Sequence, residues 1–252
     1  MSKRLGRWSL PIALAALCVL AITAGPALAQ TFQLDLGGDT EGSAASRLIQ
    51  LVALVTVLSL APSILIMVTS FTRIVVVLSF LRSALGIQQT PPNSVLISLA
   101  LFLTLFIMMP TFQTIYDQAI QPLIQEDVTE MEALDRAAAP VRSFMLAHVR
   151  EQDLKLFMDM AKIESVAGPE ETPLRSLIPA FMISELRRAF EIGFLLFLPF
   201  IIIDMVVASM LMSMGMMMLP PIMISLPFKL IFFVLVDGWY LVAGSLVQSY
   251  GT

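Results

Sequence analysis

FLLFLPFIIIDMVVASMLMSMGMMMLPPIMISLPFKLIFFVLVDGW runs from Phe194 to Trp239, and only Asp204, Lys229 and Asp237 in it carry charge. The apolar runs on either side of its methionine-rich centre, Ile192 to Met212 and Ile222 to Val247, are each long enough to cross a bilayer at about 1.5 Å per residue. They read as a helical hairpin, 192–252, with a bent loop at 213–221 where Gly215 and Pro220-Pro221 interrupt the helical pattern. The composition of the chain agrees with membrane insertion. Of 252 residues, 58% are apolar and 13% charged, and the mean hydropathy is +0.87. A soluble domain has about 25% charged residues.

Outward from this hairpin, charge divides the chain. From Asp117 to Glu191 the acids and bases crowd together, which marks an acidic, water-facing domain at 117–191. Within it Val141, Phe144, Met145, His148 and Val149 share one helical face, and Leu154, Phe157, Met158 and Ala161 share another. Before it, apolar runs at Leu48–Phe71 and Ser94–Phe112 flank Arg73 and Arg82, so 48–116 reads as a first hairpin whose loop carries both arginines. Pro62, Pro110, Pro199 and Pro227 fall inside the four runs and predict kinked helices, tolerated where neighbouring protein satisfies the freed carbonyls. The expected fold is all-α and polytopic: two hairpins of kinked apolar helices around an amphipathic helical middle domain.

Lys3, Arg4 and Arg7 precede an uncharged run from Leu10 to Thr23, and Ala27-Leu28-Ala29 supplies a small-x-small site. This predicts a cleaved signal peptide at 1–29, followed by a polar segment at 30–47. Its loss takes the formal net charge from −4 to −7 and removes Cys18, the one cysteine. The new N-terminus then lies outside the cytoplasm, the Arg73/Arg82 loop inside, and the acidic domain outside. Arg187 and Arg188, just before the third run, fit this scheme only if that helix starts deeper or does not lie in lipid as an ordinary span.

Catalytic patterns are missing from the sequence. There is no glycine-rich phosphate loop, GxSxG or HExxH, and His148 has apolar helical neighbours and no second histidine. Glu126, Asp127, Glu130 and Glu132 read as a solvated helix face. One cysteine and one histidine exclude a CxxC or His-rich metal site, and no basic block tracks a phosphate backbone. No enzyme, cofactor or nucleic-acid function is expected.

The buried-segment charges need partners, because an Asp or Lys at a helix centre costs about 2.5–3.5 kcal/mol to insert. Lys229 and Asp237 lie about 12 Å apart along one helix, too far to pair directly. Lys229 is therefore directed to Asp204, to Glu185, or to an acid on a neighbouring chain. An ion-coupled secondary transporter using Asp204 and Asp237 is the alternative reading. Eight of the 17 methionines fall within Met205–Met223, including Met214, Met216, Met217 and Met218. Their soft, unbranched side chains suit either a deformable apolar seal made by loops from several subunits or the filling of a helix interface.

Two long stretches, TSFTRIVVVLSFLRSALGIQQTPPNSVLISLALFLTLFIM at Thr69–Met108 and the Phe194–Trp239 segment, resemble the FliP/SctR family of type III secretion export-gate proteins. The resemblance covers about Leu48 to Gly251. It implies a flagellar export gate at the bacterial inner membrane, beneath the basal body, in which five copies assemble with FliQ and FliR into a helical cone. FlhA, FlhB and an ATPase complex would act with it. The resemblance also implies that Met214, Met216, Met217 and Met218 close an axial conduit for unfolded flagellar proteins, and that the helices stand largely above the bilayer plane.

Overall fold

The computed structural model describes residues 44–87, 89–163, 168–216 and 218–251. The expected signal peptide with Ala27 and Ala29, the segment to Ser43, and Met217 lie outside them. The chain separates into two compact units, Met1–Val52 and Ala53–Thr252; the second carries the fold.

All regular structure among the described residues is helical. In chain order the helices are α1 (Ala44–Val68), α2 (Phe71–Leu85), α3 (Asn93–Ile115), a π-turn (Tyr116–Ile120), α4 (Gln121–Ile124), α5 (Glu130–His148) and α6 (Glu151–Met160). A 3-10 turn (Pro169–Glu171), α7 (Leu174–Ser213), α8 (Pro221–Leu235) and α9 (Gly238–Gln248) follow. This is the all-α polytopic class expected. Leu51–Val68, Asn93–Ile124 and Leu174–Ser213 are long and apolar enough to cross a membrane, and α8 with α9 forms a fourth, bent candidate. On α1 the described apolar side chains, such as Leu54, Leu58 and Leu65, are exposed. A helix without a polar face, left mostly uncovered by the described residues, belongs against lipid or another protein.

The structure changes three features of the sequence reading. Arg73 and Arg82 do not sit in a polar loop. Both lie in α2, whose Ile74, Val77, Leu78, Leu81 and Leu85 recur at helical spacing and are buried. Hydropathy could not separate this helix from its apolar neighbours, and Arg73 is buried because an acid from α7 neutralises it. Second, the boundary read between 191 and 192 falls inside α7, which runs unbroken through Arg187 and Arg188 from Leu174. Its 40 residues span about 60 Å, twice the thickness of a hydrocarbon core, so the helix starts well before the apolar run. Third, the bend in the last apolar run lies at Asp237, at φ 51°, where α8 and α9 meet at 62°. Pro227 sits within α8; the hydrogen bond it forfeits is to the Met223 carbonyl in the first turn.

One core joins α2 and α3 to Ala189 and Phe200 of α7, Phe233 of α8, and Val242 and Leu246 of α9. Between α2 and α7 the Phe80 ring lies edge-on to Phe190 and Phe197. Gly193 makes this approach possible, since a Cβ there would come within 2.5 Å of Phe80 Cδ2. A second core packs Met145 of α5 and Leu177 and Phe181 of α7 with Val68; Val141, Phe144, Val149 and Leu154 lie against it. The two amphipathic faces read from the middle domain thus close on the N-terminal half of α7. Ser184 fixes α6 to the same helix: its hydroxyl accepts from the Arg150 N–H at 3.0 Å and donates to Asp153 at 2.7 Å.

Candidate functional site

The methionine-rich stretch forms a tight reversal between α7 and α8. Gly215, at φ 74°, takes the left-handed position after the helix end. Its N–H donates to the Met212 carbonyl at 3.1 Å, and the Met216 N–H donates to Leu211 at 3.0 Å. That pair of bonds is a Schellman motif, in which a left-handed residue satisfies the last free carbonyls of a helix. Pro220 and Pro221 then open α8, where a fixed φ and a missing N–H cost nothing. The backbone on either side of Met217 is therefore determined locally. Among the described residues Met214, Met216, Leu219 and Met223 are exposed, and Met218 is 99% exposed. The apolar surface continues down both arms through Met205, Met210, Ile222 and Phe228. So continuous an apolar surface marks a contact with lipid or with another chain.

Two ion pairs brace the helices behind this turn. Lys229 of α8 is buried, and its Nζ donates to Asp204 Oδ2 at 2.7 Å and to the Ala84 carbonyl at 3.2 Å. Ser225 donates to the other Asp204 oxygen at 2.5 Å. The pair joins the two arms roughly 12–14 Å along their helices from the turn, and through Ala84 it reaches the C-terminal end of α2. Asp204 opens onto a cavity of about 490 Å³ bordered by Arg82, Phe197, Phe200 and Ile222.

The second pair is deeper. Arg73 and Glu185 have side-chain exposures of 1% and 0%. Arg73 Nε donates to Glu185 Oε2 at 2.9 Å, and its Nη2 donates to Oε1. Arg73 Nη1 donates to the Ser249 hydroxyl at 2.9 Å. The guanidinium lies 3.7 Å from the centre of the Tyr250 ring, and the Tyr250 hydroxyl donates to Glu185. Burial first, then the Glu185 carboxylate, holds the Tyr250 phenol far above its ordinary range, so it stays protonated. The Ser249–Tyr250 segment is thereby fastened between α2 and α7. His148 packs beside this layer, with Nδ1 2.8 Å from the Phe144 carbonyl and its ring against Phe144 and Tyr250.

Among the predicted site residues, the structure brings Asp204 and Lys229 together and gives Glu185 to Arg73. Asp237 is exposed at the α8/α9 bend, with no ion pair among the described residues. The sequence places Arg73 only in a loop, and it does not single out Ser225, Ser249 or Tyr250. The signal for Arg73 was present: a lone charge before Ile74-Val75-Val76-Val77 carries the insertion cost that demanded a partner for Lys229. Among the described residues no group of three metal-ligating side chains forms.

These features define a polytopic helical membrane protein with internal ion-pair braces and an uncovered methionine turn. The chain belongs to the FliP family, whose profile matches residues 54–246. It is 60% identical to the flagellar biosynthetic protein FliP of Caulobacter vibrioides over 95% of this chain and 90% of that one. It is 57% identical to the Bacillus subtilis protein of the same name, over 81% of this chain and 93% of that one. For the Aquifex aeolicus protein the identity is 52%, over 93% and 98% of the two chains.

Proposed function

We propose that this chain is a core subunit of the flagellar type III export gate, and that several copies surround an axial conduit sealed by their methionine turns. The observation that carries the reading is the α7–α8 reversal. Its two flanks are fixed by a Schellman motif and two prolines, while Met214, Met216 and Met218 are exposed. A turn anchored at both ends and bearing flexible apolar side chains suits a gasket: the anchors hold position, and the thioethers repack around whatever passes. One copy seals nothing, so the reading requires a ring. Family membership supports a pentamer with FliQ and FliR, working with FlhA and FlhB in the inner membrane at the basal body. The cargo is unfolded flagellar protein. The chain gates passively and neither makes nor breaks a covalent bond.

The test is replacement of Met216, Met217 and Met218 by alanine. The expected outcome is normal assembly, judged by native mass spectrometry of the extracted complex with its small membrane partners, together with severalfold leakage of ions or small solutes. An assembled variant complex with unaltered permeability would overturn the seal.

A further inference from the structure

We infer that Asp237 is the docking point for a basic side chain carried on an apolar membrane helix of a partner other than a second copy of this chain. The apolar segments 48–116 and 192–252 contain two acids, Asp204 and Asp237. Asp204 has Lys229, whereas Asp237 makes no ion pair among the described residues and no capping bond to α9. An ionisable side chain in an apolar segment marks a pairing or pathway site, because lipid leaves its charge uncompensated. The side chains around Asp237 are apolar and exposed: Val234 and Leu235 are 75% and 79% exposed, and Tyr240 and Leu241 are exposed with them. A lone charge inside an apolar rim is the pattern of a docking hot spot, where the rim keeps water away from the charged contact.

The backbone holds that carboxylate in place. Asp237 has φ 51°, a left-handed conformation that persists in a non-glycine residue only where its surroundings impose it. Here they do. A Cβ on Gly238 would fall 2.1 Å from Phe233 Cε2, and the Phe233 ring meets Trp239 edge-on at 5.4 Å. The bend is packed into one shape, so the acid is presented preorganised. The occupant follows from charge and level. Asp237 lies about 12 Å past Lys229 along α8. Among the described bases without an ion pair, Arg82 and Arg188 come nearest to that level. Arg82 stays at the level of Lys229, which donates to the Ala84 carbonyl. Arg188 lies about 24 Å before Asp204 on the antiparallel α7, hence about 12 Å beyond Asp237. In the ring proposed above, on which this choice of occupant rests, rotation keeps every residue at its own level. With the about 8–10 Å between packed helices added, neither arginine of a neighbouring copy reaches Asp237.

The experiment uses the full chain in cells that make all the export proteins. A photoreactive amino acid at Leu235 or at Tyr240 is cross-linked, the complex is extracted, and the joined peptides are sequenced by mass spectrometry. They should come from an apolar helix of another subunit that carries a lysine or arginine. Asp237→Asn should leave the melting temperature of the extracted chain unchanged. It should lower severalfold both the cross-link and that subunit's share of the complex in native mass spectrometry. Asp237→Lys should abolish both, and exchanging the partner's base for an acid should restore them. The inference is overturned if the cross-links join two copies of this chain or reach lipid alone, or if the partner helix lacks a base. It is equally overturned if neither Asp237 variant changes the complex, or if the charge exchange restores nothing. Failure of the seal is separate, since it is read as tight closure of the alanine variant in a complex of normal composition.

Discussion

Arg73 and Glu185 are 112 positions apart in the chain, yet they meet in a two-pronged ion pair with almost no exposed surface. A buried pair gains little net energy over well-packed apolar residues, but breaking it leaves one charge stranded, at about 3–5 kcal/mol. Arg73→Met alone should therefore lower the melting temperature of the detergent-extracted protein sharply, whereas Arg73→Met with Glu185→Leu should recover most of the loss. Equal losses for the single and double variants would show that the pair is not what the single change disrupts.

Tyr250 gives that pair a dependence on alkaline pH. Burial and the neighbouring Glu185 carboxylate raise its phenol pKa in the folded state. A raised value means the stabilisation is fully present below the ordinary tyrosine range near ~10 and is lost as pH climbs through the folded value. Between these limits the native phenol does not ionise. The ultraviolet titration of native protein from pH 10 upward should thus be the same for wild type and Tyr250→Phe until unfolding begins. A missing increment in the Tyr250→Phe curve would show that the phenol titrates in the native state. The same substitution leaves Glu185 short of a donor and should cost about 1–3 kcal/mol.

How much was legible in the sequence depended on whether an element announced itself locally. The amphipathic faces of α5 and α6 repeat at helical spacing, and both were readable because half of each helix is polar. α2 packs against α3, α7, α8 and α9 over most of its surface, and its narrow polar edge of Ser79, Arg82 and Ser83 was too short for hydropathy to separate it from its surroundings. α7 was cut at Glu191 because composition changes there while the backbone does not. The backbone of the methionine turn was legible from Gly215 and the paired prolines, each with its own steric signature. The Arg73–Glu185–Tyr250 layer was not, because it joins three distant segments, and no local pattern encodes which charge meets which.

Asp204 and Asp237 should respond very differently to the same conservative change. Asp204→Asn strands the buried Lys229 ammonium and should cost several kcal/mol, seen as lost yield or a lowered melting temperature. Ser225→Ala removes one hydrogen bond to Asp204 and should cost about 0.5–1.5 kcal/mol. Asp237→Asn should be nearly silent, since that side chain is exposed and asparagine tolerates its left-handed backbone. Equal loss of solute uptake by purified protein in both Asn variants would instead favour ion-coupled transport.

Gly193 controls how closely α2 approaches α7. A methyl group there meets Phe80 near the root of its ring, at Cγ as well as Cδ2, where rotation of the ring gives no escape. Gly193→Ala should destabilise the fold by about 1–3 kcal/mol through overpacking. Pairing it with Phe80→Leu should relieve part of that cost in thermal unfolding. A double variant no better than the sum of the two single changes would remove Phe80 as the cause.

Gly215 presents the opposite situation, with open space around its α-carbon and a backbone that side chains resist. Among the described residues no atom lies within 4 Å of a Cβ built there, so the cost of Gly215→Ala is conformational, from φ 74°. That cost is about 1–2 kcal/mol for alanine and less for asparagine, which enters the left-handed region more readily. The turn closes the end of α7 through the Gly215 and Met216 N–H groups, so strain should act there first. Gly215→Ala should raise solute leakage of the assembled complex and speed amide exchange at Met214 to Met216, while exchange in α2 remains slow. Gly215→Asn should fall between alanine and wild type in both measurements. If alanine and asparagine behave alike, the left-handed backbone is not what holds the methionines in place.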